Sequence, residues 1–182
     1  VRFEGCLCEG LLLSVNQSDV SEKFRQALDS AKSYAEVWSI VKATVEFAIS
    51  KRRGSMMLFL DDLPLQLGAY YPVGTNNIVL NRALVDVVES KITAKPTVNA
   101  LIYNLLLHEY LHALGEMSEV EVRRQVVSVA KKCFGEVHEA TVLARKSVWV
   151  LLKDLPLGSQ FSGPKGFMEI VKDFEKPDRY IV

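Results

Sequence analysis

The segment that decides the reading is Ala100-Leu101-Ile102-Tyr103-Asn104-Leu105-Leu106-Leu107-His108-Glu109-Tyr110-Leu111-His112-Ala113-Leu114-Gly115. Its apolar residues are interrupted by Asn104, His108, Glu109 and His112, and it is bounded by Pro96-Thr97 on one side and Gly115 on the other, so it reads as a helix from Val98 to Leu114 with Thr97 as cap. Two of the three histidines of the chain stand four residues apart in it, in the pattern His-Glu-x-x-His. Histidine and glutamate are scarce enough here that chance would place the pattern in roughly one such chain in a few hundred. Residues four apart lie on one helical face, so both imidazoles can reach one ion. Glu109 lies about 100° further round, beside the ion, where it can hold a metal-bound water rather than the metal itself. Zn²⁺ lowers the pKa of such a water toward about 7, and a neighbouring carboxylate can take its proton as a carbonyl is attacked.

The rest of the chain narrows the alternatives. It has 182 residues, 22 Lys plus Arg against 22 Asp plus Glu, 49% apolar residues and 24% charged. That suits one globular domain with a real core, spanning 1–182. A net charge of zero, with no basic cluster larger than Lys51-Arg52-Arg53, argues against nucleic acid as a partner. The apolar segment around the motif is shorter than a bilayer span of about 20 residues, so no membrane association is expected. Cys6, Cys8 and Cys133 are odd in number, the start Val1 to Gly10 does not resemble a secretory signal, and a cytoplasmic location is the default expectation.

Outward from the motif, helical spacing runs from Ser18 to Arg53, with Ser33 and Glu36 forming a capping box that favours a fresh start there and Gly54 supplying a stop. Residues 55–60 form a short apolar run read as a buried strand, and Leu67 to Tyr71 with Ile78 to Asn81 read as a hairpin across a turn containing Pro72 and Gly74. Asn81 can cap a helix from Arg82 to Lys91. Ser118 and Glu121 form a second capping box, opening a helix to about Cys133, and Gly135 separates it from a last amphipathic helix, Glu136 to about Lys153. Residues 155–182 carry six Pro or Gly residues among aromatic and aliphatic ones, and read as an irregular tail with a turn of helix at Phe167 to Phe174. Such a tail should lie on the body of the protein, as a cover over the core or as a segment across the metal cleft.

The order helix, strand, hairpin, motif helix, further helix resembles the zincin metallopeptidases over roughly Lys23 to Arg145, with the His-Glu-x-x-His motif as the specific signature. The resemblance implies an α+β fold in which N-terminal helices and a small mixed or antiparallel sheet pack on the motif helix. It also implies a zinc-dependent peptidase with peptide or protein substrates, His108 and His112 as ligands and Glu109 as the catalytic general base. The third ligand sets the branch. The metzincin pattern fits through Gly115 but has Ser118 where its third histidine should stand. Glu119-Val120-Glu121-Val122-Arg123 resembles the glutamate helix of the gluzincins, most nearly the minimal members called minigluzincins, which implies Glu119 as third ligand. Arg123 stands where those proteins carry an acid or amide, and the connection from His112 is short. Glu116, Glu121 and His138 remain alternatives. Tyr70, Tyr71 and His138 are candidate oxyanion donors, and Asp61, Asp62 and Asp86 candidate partners for a ligand imidazole. Either hairpin strand could align an extended peptide. A zincin scaffold used for binding or regulation, with little turnover, is the rival function.

Overall fold

A computed structural model describes residues 17–153, 166–172 and 174. Within them the chain is α+β, with six α-helices and a four-stranded mixed sheet. Cys6, Cys8 and most of the expected irregular tail lie outside the described residues.

The first helical region divides at Ser33. Helix α1, Gln17–Ser30, ends before it, and α2, Tyr34–Ile49, begins after it with the Ser33 side chain accepting from Glu36 N–H at 3.2 Å. Glu36 reaches back to Lys32 N–H at 2.7 Å, one residue earlier than in a standard capping box. Helix α2 stops at Ile49 rather than at Arg53, because Ser50 takes the left-handed conformation (φ 54°) and closes the end onto Glu46 O. The extended stretch after it lets Arg53 cross to the far end of the motif helix. There Arg53 N–H donates to Tyr110 Oη at 2.7 Å, and its guanidinium bonds Ala113 O, Thr75 O and Asn76 Oδ1.

Strand β1, Met57–Asp61, pairs parallel with β3, Asn77–Asn81, in the register Met57↔Asn77 to Asp61↔Asn81. The expected hairpin is present: β2, Ala69–Tyr70, runs antiparallel to β3. The sheet order is β2-β3-β1-β4, so β3 is interior and β2 is an edge. Fully buried Asn81 caps α3, Arg82–Lys91, through Leu84 N–H, while its amide donates to Leu63 O, Pro64 O and Leu67 O. That single side chain holds the loop leading into β2 against the end of β3.

Helix α4, Lys95–Ala113, starts two residues before the expected cap. Ala94 is its N-cap and Pro96 occupies the first turn, where a missing N–H costs nothing. The helix is buried on nearly every side, which is how an all-round apolar helix survives in water. Its polar interruptions find partners: Asn99 donates to Leu28 O and Ala31 O at the end of α1, and Asn104 donates to Ala100 O and Ala140 O. Helix α5, Glu119–Phe134, starts at the predicted Ser118 cap and ends at Gly135 (φ 80°). The last expected helix is shorter than its pattern. His138 caps α6, Glu139–Lys146, then Ser147 (φ 73°) breaks it before a 3-10 turn, Val148–Leu152.

The described part of the tail is not helical. Glu169–Ile170 forms β4, antiparallel to β1 on the edge opposite β2, and buried Phe174 stacks on Trp38 with ring centroids 4.8 Å apart. Among the described residues no helix is long and apolar enough to cross a membrane.

Candidate metal centre

Helix α4 ends in a Schellman turn, with Gly115 at φ +100°, Gly115 N–H bonded to His112 O and Glu116 N–H to Leu111 O. The turn reverses the chain within a few residues, so that Glu119, the first residue of α5, returns to the face carrying His108 and His112. Ser118 stabilises the return twice, capping α5 through its side chain and donating its N–H to Glu116 Oε1 at 3.0 Å.

Three side chains meet there. His108 Nε2 and His112 Nε2 are 3.2 Å apart, His112 Nε2 is 3.1 Å from Glu119 Oε1, and His108 Nε2 is 3.3 Å from Glu119 Oε2. Ligand atoms arranged tetrahedrally at about 2.0–2.1 Å from a zinc ion stand about 3.3 Å from one another. His112 Nδ1 lies 2.7 Å from Glu116 O, a carbonyl that can only accept, so Nδ1 carries the proton and Nε2 presents a lone pair. The imidazole of His108 is held below its ordinary pKa, chiefly by burial, with His112 and Arg123 adding to the effect and Glu119 opposing it. That favours the neutral imidazole, whose Nε2 can serve as a second donor when the ring proton sits on Nδ1. Two such nitrogens and a carboxylate in mutual contact are a donor set suited to Zn²⁺.

Glu109 is 8% exposed, one position round the helix from His108. Its carboxyl accepts the backbone N–H of Tyr71, and its pKa is pushed up to about 7, first by burial and further by the charge of Glu119, with His112 and that N–H pulling the other way. A carboxyl poised near neutrality can accept and return a proton.

The alternatives for third ligand are placed differently. Glu116 contributes its carbonyl to His112 while its carboxylate takes Ser118 N–H. Glu121 bonds Arg124 and Gln125. His138 caps α6, stacks on Phe134 and bonds Asp29, away from the group. Asp61 accepts from Asp62 N–H, Asp62 pairs with Arg82, and Asp86 lies beside Tyr34 and Arg82, so the partner of His112 is a main-chain carbonyl and none of the three aspartates. Tyr71 Oη donates to Thr75 O and takes a bond from Arg53, and neither Tyr70 nor Tyr71 lines the cleft.

That cleft, of about 760 Å³, runs from His108, Glu109 and Glu119 past Gly68 and Ala69 toward α6 and Trp149. Gly68 permits its narrow wall, since a Cβ there would fall 2.5 Å from Leu105 Cδ2. Three contributions escape sequence reading: the Tyr71 N–H on Glu109, the Glu116 carbonyl on His112, and Arg123 in the cleft. Only the last left a signal, its position one helical turn after Glu119. Comparison with protein-family models, curated proteins and solved structures finds no match to this chain.

Proposed function

We propose that this chain is a zinc-dependent peptidase of the zincin type, nearest in character to the short gluzincins. His108, His112 and Glu119 would hold the ion and Glu109 would act as general base. The observation that carries the reading is the convergence of three side chains, the two imidazole Nε2 atoms 3.2 Å apart and each 3.1 to 3.3 Å from one oxygen of the Glu119 carboxylate, with the buried Glu109 carboxyl next to them in an open cleft. A zinc ion held there would supply Lewis acidity, polarising a substrate carbonyl and making water acidic near neutral pH.

The remaining roles fall to the chain itself. Tyr71 N–H orients the Glu109 carboxylate, which takes a proton from the attacking water and returns it to the departing amine. The balance is hydrolytic: the C–N bond breaks, hydroxyl joins the carbonyl carbon and the proton goes to nitrogen. An extended peptide can add to the outer edge of β2, next to Gly68 and Ala69 in the cleft wall, whereas β3 is already paired on both sides. One observation favours the rival, a zincin scaffold that binds without much turnover. Among the described residues nothing bonds His108 Nδ1, and metal histidines commonly lean on such a partner.

Metal analysis separates these readings from a motif without function. One zinc per chain is expected, lost in the His108→Ala/His112→Ala double variant, and retention of stoichiometric metal there would place the site elsewhere. Glu109→Gln should keep its zinc and lose at least about 100-fold in peptide cleavage. Zinc binding without any cleavage of a broad peptide library by the parent protein would favour the binding scaffold.

A further inference from the structure

Three arginines line the cleft beyond the metal group: Arg123, Arg124 and Arg145. Two are neutralised locally. Arg124 bonds Glu121 at 2.7 and 2.9 Å, and Arg145 pairs with Glu136. Arg123 has no carboxylate partner among the described residues, while Glu119, one turn before it on α5, is committed to the two histidines. The cleft walls around it are otherwise largely apolar, with Leu105, Val126, Val127, Leu143 and Trp149. Apolar walls lower the local dielectric and extend the reach of such a charge. Asn104, also a lining residue, is 4% exposed and spends both amide protons on Ala100 O and Ala140 O, and its buried Oδ1 has no partner among the described residues. A guanidinium with no carboxylate partner among the described residues is complementary to a carboxylate.

The spacing says where that carboxylate would be. Residues four apart on a helix have Cβ atoms about 6 Å apart, and an extended peptide advances about 3.3–3.6 Å per residue. We infer that the cleft selects peptides bearing a carboxylate within two residues of the scissile bond on its amine side, with Arg123 as the residue that binds it. The inference rests on the peptidase reading above. Two sources share this chemistry, the free C-terminus of a short peptide and an Asp or Glu side chain. An Arg–carboxylate pair in a partly desolvated cleft is charge-assisted and commonly bidentate, so it discriminates against a neutral counterpart.

The test uses the zinc-loaded protein and one peptide core in four forms: free acid, C-terminal amide, and longer amides with Glu or Gln at the second position past the bond. The carboxylate-bearing member of at least one pair should be cleaved with a kcat/KM at least about tenfold higher, mostly through KM, and added salt should shrink the ratio. The better pair identifies the source. Arg123→Gln should collapse the ratio and Arg123→Glu should invert it; Arg123 is exposed on α5, so both variants should fold, which circular dichroism checks. Equal cleavage within both pairs would overturn the inference and leave the peptidase standing. So would an Arg123→Gln variant that slows acid and neutral peptides equally, since Arg123 would then act on the reaction itself. If no peptide is cleaved, the peptidase reading fails, and fluorescence polarisation of labelled acid and amide peptides on metal-free protein decides the inference alone. Tighter binding of the acid, lost in Arg123→Gln, supports it, and equal affinity overturns it.

Discussion

Substituting Glu109 by Gln should stabilise the metal-free protein at alkaline pH, although it removes the proposed general base. The carboxyl pKa is about 7 in the folded chain against 4.5 for an unperturbed glutamate, because the group is buried beside the Glu119 carboxylate. Between those two values the native state holds a proton that the unfolded chain has released, so stability falls as pH rises through the window. Above it the whole linkage opposes folding, about 3 kcal/mol at 1.36 kcal/mol per pKa unit. Glutamine keeps the shape and an acceptor for Tyr71 N–H but cannot ionise; an unmatched amide N–H would return about 1 kcal/mol of the gain. The variant should therefore exceed the parent by about 2–3 kcal/mol at pH 8 and match it within about 1 kcal/mol at pH 4. His108, whose depressed pKa gives stability that rises with pH, is present in both proteins and largely cancels. Urea unfolding of chelator-treated protein, followed through Trp38 and Trp149, gives both differences. A variant no more stable than the parent at pH 8, or one whose advantage is the same at both pH values, would refute the argument from burial.

Two further substitutions probe the turn and the tail. Gly115→Ala meets no atom within 4 Å but places a side chain at φ +100°; it should cost about 1–2 kcal/mol in unfolding and, by moving Glu116 O and Glu119, weaken zinc binding at least tenfold in a chelator competition, and unchanged affinity would free the turn of any positioning role. Phe174→Ala removes a ring buried on Trp38 and should lower stability by about 3 kcal/mol without raising peptidase activity, whereas a folded, more active variant would revive the idea of a tail that restrains the cleft.

Much of the local structure was readable because it is written in short-range chemistry. Ser33, Asn81 and Ser118 each cap the helix assigned to them, since a side-chain oxygen reaches an N–H three residues ahead whatever lies elsewhere in the fold. The reading failed where distant contacts outweighed local pattern. Helix α2 ends early at the left-handed Ser50, after which Arg53 reaches the end of α4, the last amphipathic pattern is cut by the positive φ of Ser147, and residues 169–170 pair with β1 instead of forming a helical turn.

The candidate site divides along the same line. The i, i+4 periodicity of one helix put His108 and His112 on a common face and Glu109 beside them, and the sequence alone determined that much, as it did the presence of a stop at Gly115. That Glu119 rather than Glu116, Glu121 or His138 approaches the two imidazoles depends on how the Schellman turn aims α5, and no spacing rule specifies that direction. The raised pKa of Glu109, the carbonyl that orients His112 and the place of Arg123 in the cleft, without a carboxylate partner among the described residues, were likewise decided only by tertiary structure. Burial, hydrogen-bond partners and charge compensation are properties of what packs against a residue, and here the packing partners come from β2, α5 and α6 as well as from the motif helix.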